Sequence, residues 1–298
     1  MSGGDGEMAR EGYVTVEGGR VWYEIVGEGA GLPLILLHGG PGFSSLSFEP
    51  LRPMGRHRRV VFYDQLGSYR SDHPEDPSLW TLERFVRELH TLRLSLGLER
   101  CHILGHSWGT MLLAAYLREH RRGVASAIFS GPCLDARRWA RDQEALRRGL
   151  PPDMQRAILE AEADPAKQQD PAYRRALDQF YRRHFCRLTP WPEIVRADLD
   201  RANLQVYETM WGPAEFTATG RLRDYNATPD LPDLDLPTLF TCGRHDEATP
   251  ESTDFYRSLV PGAEFHVFEA SAHMTYDEEP EEYVRVVGTF LDRHDGSE

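Results

Sequence analysis

Short, almost wholly apolar runs alternate along the chain with longer stretches in which apolar positions recur three and four residues apart. Leu32-Pro-Leu-Ile-Leu-Leu-His, Arg59-Val-Val-Phe-Tyr-Asp and Cys101-His-Ile-Leu-Gly are of the first kind. Val124-Ala-Ser-Ala-Ile-Phe-Ser, Pro237-Thr-Leu-Phe-Thr-Cys-Gly and Glu264-Phe-His-Val-Phe-Glu continue the series. Runs this short and apolar suit strands buried on both faces of a parallel sheet. Leu82, Phe85, Val86, Leu89, Leu92 and Leu96 follow helical spacing, with Thr81 placed to cap the start. Met111 to His120 predicts another helix, stopped near Gly123, and Glu281 to Arg293 a last one after Pro280. Ahead of all these, Gly12–Gly18 and Arg20–Gly27 read as a hairpin with Gly18-Gly19 at the turn. The order is an antiparallel opening followed by strand–helix–strand units.

From Cys133 to Leu236 the alternation stops. Arg, Glu, Ala and Pro dominate, helical patches fall at Ala136–Arg148, Asp153–Ala163 and Tyr173–Phe185, and no convincing strand appears. The expectation is a helical cap over residues 133–236, inserted into one core built from residues 1–132 and 237–298. A chain of 298 residues exceeds one average core, which suits a large domain with an insertion.

Composition narrows the functions open to such a chain. With 40% apolar and 27% charged residues it is ordinary globular material. Its 47 acids against 34 bases give a net charge of −13, which repels phosphate backbones and argues against nucleic-acid binding. Lys167 is the only lysine, so Schiff-base or P-loop lysine chemistry has no other source. No window approaches 18 uninterrupted apolar residues, and Met1–Arg10 lacks a basic segment followed by an apolar one, so neither a membrane span nor a secretory signal is expected. Cys101, Cys133, Cys186 and Cys242 form no C-x-x-C pair and read as reduced, buried thiols of a cytoplasmic protein.

The chemistry begins at Gly105-His-Ser-Trp-Gly109, a G-x-S-x-G placed between a predicted strand and a predicted helix. A sharp strand-to-helix turn holds Ser107 in strained backbone and points its hydroxyl off the sheet edge. The helix start behind it favours developing negative charge. A serine hydroxyl needs a base to take its proton, and the base needs an acid to orient it. Asp246 and His273 each lie just past a later strand, on the edge where Ser107 emerges, so the order Ser107, Asp246, His273 fits. Asp135 is the rival acid. His245 adjoins the favoured acid, while His266 lies within a strand and His294 trails the last helix. His102 and His106 sit on a strand and in a turn, so they do not form the one-face pair that a metal needs. His38-Gly-Gly-Pro-Gly42 follows the first buried strand; there the amides of Gly40 and Trp108 are placed to receive an oxyanion.

Together with Asp64-Gln-Leu-Gly-Ser-Tyr-Arg-Ser-Asp72 and Gly243-Arg-His-Asp-Glu-Ala-Thr-Pro, these segments resemble the proline iminopeptidases. These are serine aminopeptidases of the α/β-hydrolase fold: a mostly parallel sheet, helices on both faces and a helical cap. The resemblance runs from about Gly12 to His294 and includes His184-Phe-Cys-Arg-Leu-Thr-Pro-Trp-Pro and Met210-Trp-Gly-Pro-Ala-Glu-Phe in the insertion. It is nearest to the tricorn-interacting aminopeptidase branch. By that resemblance Glu215 and Glu247 clamp the free α-amine of the substrate, and a buried ammonium does need carboxylates to offset its desolvation. Leu66 and Tyr69 depart from the Arg and Gly that many family members carry, which makes Tyr69 a candidate substrate contact. Trp211, before Gly212-Pro213, is a candidate wall of the leaving-residue pocket or else part of the cap core.

The implied reaction is hydrolysis of an amide beside a free α-amine, releasing an N-terminal residue, proline among the candidates, from short peptides. No metal or organic cofactor is implied. Alternatives using the same triad are an amino-acid amidase or esterase and a lactone- or lactam-opening enzyme. A catalytically silent receptor would have no use for an intact Ser–Asp–His set.

Overall fold

The computed structural model describes residues 10–296. The first nine residues, on which the absence of a signal segment was judged, lie outside the described residues. Eight strands form one sheet: β1 (Arg10–Val16), β2 (Gly19–Val26), β3 (Gly31–Leu37), β4 (Arg58–Tyr63), β5 (Cys101–His106), β6 (Val124–Ser130), β7 (Thr238–Gly243) and β8 (Glu264–Phe268). Their order across the sheet is β1-β2-β4-β3-β5-β6-β7-β8. The β1–β2 and β2–β4 pairs are antiparallel and every later pair is parallel. The expected antiparallel opening followed by parallel units is the observed topology. Only the hairpin turn moves by one residue: Val16 pairs with Gly19, so Glu17 and Gly18 make the turn, with Gly18 at φ 94°.

Among the described residues, ten α-helices accompany the strands. They are α1 (Leu82–Ser95), α2 (Trp108–His120), α3 (Ala136–Arg147), α4 (Pro152–Ala163), α5 (Pro171–His184), α6 (Glu193–Arg201), α7 (Leu204–Met210), α8 (Pro250–Leu259), α9 (Thr275–Glu278) and α10 (Pro280–His294). Thr81 caps α1 by accepting from the amide of Arg84 at 3.3 Å. The segment between β6 and β7 holds α3 to α7. The first three follow the helical patches in the sequence. The pattern did not announce α6 and α7, which are short and bury few side chains: Val195 and Asp198 on one, Val206, Tyr207 and Met210 on the other. A 3-10 helix at Ser45–Arg56 was equally silent, because Pro50 and Pro53 interrupt any α-helical signal.

Strand alternation feeds two cores, since successive side chains point to opposite faces. Ile35, Leu37, Val61, Ile103 and Phe129 pack against α1 and α2. Leu34, Leu36, Val60, Phe62 and Leu104 pack against the 3-10 helix and α10. A smaller cluster of Leu150, Ile158, Tyr173 and Phe180 holds α4 to α5. All four cysteines are free and buried, and no helix among the described residues is long and apolar enough to cross a membrane.

Candidate active site

Ser107 stands between β5 and α2 at φ 55°, one of two non-glycine residues with positive φ. The turn is tight enough to exclude side chains on either side. A Cβ on Gly105 would lie 2.3 Å from the carbonyl oxygen of Gly109, and one on Gly109 would lie 2.1 Å from that of Leu37. Strain of roughly 1–3 kcal/mol at Ser107 is held in place by hydrogen bonds around it. Its amide donates to Ser130 O at 3.1 Å, and its carbonyl accepts from Thr110 N at 2.8 Å and Thr110 Oγ1 at 2.6 Å. Trp108 opens α2, so its amide has no carbonyl one turn earlier to bond within the helix.

His273 lies beyond β8, and its Nδ1 meets Asp246 Oδ1 at 2.7 Å. Asp246 is itself fixed by the amides of Ala248, at 2.7 Å, and Gly243, at 3.2 Å. Gly131 is needed here, because a Cβ on it would lie 2.8 Å from His273 Cε1. Burial pushes the imidazole down, but the charge and hydrogen bond of Asp246, with Glu247 and Glu215 behind them, outweigh it and raise His273 to about 9. His106 sits alongside: its Nε2 donates to His273 O at 3.1 Å and its Nδ1 accepts from Tyr276 Oη at 3.2 Å. Burial, then repulsion from His273, hold His106 well below the usual histidine range, so it stays neutral and keeps this tautomer. The insertion also reaches the triad loops. His184 O, at the end of α5, accepts from Glu247 N at 3.1 Å and His273 N at 3.2 Å.

The glycine loop after β3 is braced by the Asp64–Asp72 segment. His38 Nδ1 donates to Gly39 O at 2.9 Å, and its Nε2 accepts from Gln65 N at 3.0 Å. Gln65 also donates to His38 O at 3.2 Å and accepts from Trp108 Nε1 at 2.8 Å. Burial lowers His38 to about 4, so it remains a neutral strut. Gly40 itself lies at φ 110°. Asp64 accepts from Ser45 N at 2.9 Å and Arg70 Nε at 2.8 Å, which closes the brace.

Two connected cavities meet at Ser107. The larger, about 450 Å³, is lined by Gly40, Ser107, His273, Glu215, Glu247 and Asp198 among others. The smaller, about 260 Å³, has Met111, Cys133, Trp139, Trp211 and Leu222 as its mostly apolar walls and shares Gly40, Ser107 and Glu215. Glu247 is buried, with Oε1 3.9 Å from His273 Nε2 and Oε2 without a hydrogen-bond partner among the described residues. Glu215 Oε1 accepts from Tyr207 Oη at 2.5 Å. Burial raises both carboxyl groups, and the charge of Glu215 raises Glu247 further. Among the described residues the two acids share one histidine, His273, and have no arginine or lysine, so a second cation between them would offset the cost of their burial.

A family model described as alpha/beta hydrolase fold matches residues 33–280. The proline iminopeptidase of Heyndrickxia coagulans is 46% identical, covering 95% of this chain and 99% of that protein. The chain belongs to the proline iminopeptidase family. Within the family, the Lactobacillus helveticus proline iminopeptidase is 38% identical over 98% of both chains. The crystal structure of the Mycobacterium smegmatis proline iminopeptidase superposes with a TM-score of 0.89 at 35% identity, covering 96% of this chain and 99% of that one. A member of this family is a hydrolase, and the mostly parallel sheet with its helices is that of the fold. These relatives do not single out the tricorn-interacting branch.

Most of the residues singled out in the sequence converge on the two cavities, but Tyr69 does not. It lines neither of them. At φ 27° it turns outward and lies 36% exposed, its ring flanked by Arg70 at 4.9 Å and Arg201 at 5.2 Å. The backbone turn that aligns Arg70 with Asp64 sends the neighbouring Tyr69 side chain to the surface. Leu66 is buried in the core. Asp135, the rival acid, caps α3 through the amides of Arg137 and Arg138. His102 faces Ser126 and Asp295, away from His106. Sequence reading missed Gln65, His106, Trp139, His184 and Tyr207. Gln65, His106 and His184 lie inside quoted segments and could have been flagged, whereas Trp139 and Tyr207 carry no local pattern.

Proposed function

We propose that the chain removes an N-terminal residue, proline among those accepted, from short peptides by acyl transfer to Ser107. The observation that carries this reading is the pair of buried carboxylates, Glu215 and Glu247, in the same cavity as Ser107 and His273, with no arginine or lysine paired to them among the described residues. An α-ammonium placed between them puts the adjacent carbonyl at Ser107. The first side chain then enters the cavity walled by Trp139 and Trp211. His273 takes the Ser107 proton as the bond to the carbonyl carbon forms and returns it to the departing amine, while Asp246 holds the imidazole. The amides of Gly40 and Trp108 stabilise the oxyanion, each worth about 10²–10³ in rate. Water then repeats the sequence on the acyl-enzyme. Residues 133–236 act as the cap, closing the site to folded proteins and favouring short chains, and the reduced, buried cysteines suit work in the cytoplasm. Ester- or lactone-opening alternatives do not need two buried acids beside the nucleophile.

The test is release of a reporter amine from proline amide, alanine amide and their N-acetylated forms, with Ser107→Ala alongside. Cleavage confined to free-amine substrates and abolished in Ser107→Ala is the expected result. Equal cleavage of the blocked substrates would remove the clamp role from Glu215 and Glu247.

A further inference from the structure

A third buried acid lines the larger cavity, and neither the triad nor the amine clamp uses it. Asp198 on α6 is 3% exposed. Its Oδ1 accepts from Ser44 Oγ at 2.5 Å. Among the described residues it makes no ion pair, and Arg201, one turn later, opposes its charge only weakly. Burial, with the charge of Asp64 added, pushes it up to about 7. Asp277 stands behind it on α9, raised to about 8 by burial and by the charges of Glu278 and Asp198. Asp277 Oδ2 is buried and has no partner among the described residues. Glu215 is held by Tyr207 on α7 and Glu247 lies 3.9 Å from His273, whereas Asp198 is held by Ser44, on the segment that follows the glycine loop. Asp198 therefore belongs to a different end of the cavity.

Which end follows from the reading above, on which this inference rests. With the amine at the two glutamates and the first side chain between Trp139 and Trp211, the direction left from the scissile carbonyl is that of the departing residue. Beside Asp198 on the same helix, Val195 and Leu199 line the cavity, with Phe185 and Tyr276 as further apolar lining residues. Apolar walls with a carboxylate suit a long aliphatic stem ending in a cation. We infer that Asp198 is a specificity-determining residue on the leaving side, selecting peptides whose second residue is lysine or arginine.

The experiment measures equilibrium binding to the Ser107→Ala protein, which removes turnover. The ligands are Ala-Lys-amide and Ala-norleucine-amide, whose second side chains differ only in the terminal ammonium, together with Ala-Glu-amide. The lysine peptide should bind about tenfold tighter than the norleucine peptide, and the glutamate peptide more weakly than either. Adding Asp198→Asn, which keeps an acceptor for Ser44, should bring the lysine-to-norleucine ratio close to one without moving the norleucine affinity. A general attraction from the net charge of −13 would survive that single substitution. Equal binding of lysine and norleucine peptides, no binding of either, or a ratio that Asp198→Asn leaves unchanged would overturn the inference. N-acetylated versions of the same peptides keep the two readings apart. Undiminished binding after acetylation sinks the amine clamp, while the lysine-to-norleucine ratio still judges Asp198.

Discussion

His273 is where two charge systems overlap. Asp246 orients it, and Glu247 and Glu215 add negative potential from the substrate side, so the free imidazole holds its proton up to about 9. A general base works only when unprotonated, so the rate limb controlled by His273 rises with pH through that value. Removing a negative neighbour lowers the pKa of an imidazole, and an arriving ammonium acts in the same direction. Glu247→Gln should therefore shift the acid limb of kcat/KM to lower pH, by about one unit, while raising KM for alanine amide about tenfold. In the unmodified protein the acid limb of kcat should lie below that of kcat/KM, because the bound ammonium offsets the glutamates. Both follow from pH profiles between 5 and 10. An unmoved limb in Glu247→Gln would mean that Glu247 does not act on the base.

At the scale of elements, the strand–turn–helix from Cys101 to His120 positions the nucleophile by excluding side chains. Gly109 presses against the carbonyl of Leu37 on the neighbouring strand, so β3, which carries the glycine loop, and α2, which carries Trp108, are locked at backbone distance. Gly109→Ala should cost about 3 kcal/mol or more, because the obstructing atom is backbone and cannot swing aside. The readout is chemical denaturation. A loss under 1 kcal/mol would show that the two elements can separate without consequence. This much was legible in sequence, since G-x-S-x-G between a strand and a helix states its own geometry. The Asp64–Asp72 segment was legible only as a likeness: that Gln65 ties His38 to Trp108 depends on two loops meeting, which no local pattern encodes.

Over the whole molecule, the segment between β6 and β7 is tied to the loops that carry Glu247 and His273. The carbonyl of His184 holds the amides of both Glu247 and His273, Phe185 O accepts from Met274 N at 2.9 Å, and Gln143 Nε2 donates to Glu247 O at 3.1 Å. The end of α5 is thus part of the scaffold of the triad loops. Phe180, fully buried on that helix, packs against Phe216 and His184 at ring distances of 4.7 and 4.9 Å. Phe180→Ala should destabilise the protein by about 3 kcal/mol and also lower kcat, because loosening α5 frees the loop that carries His273. Thermal unfolding and turnover of alanine amide together check this. A fall in stability with kcat unchanged would make the insertion a cover only.

The sequence by itself determined the strand series, the main helices, the strand-to-helix turn at Ser107 and the family. These rest on local periods and on short motifs whose backbone demands are carried by adjacent residues. Tertiary structure decided which acids face the cavity without an arginine or lysine partner among the described residues, that Tyr69 turns outward, and that Asp198 shares a chamber with Ser107. It also decided that helix α5 holds the loops around His273. Those are matters of desolvation and of contact between segments far apart in the chain, and both exist only once the chain has closed on itself.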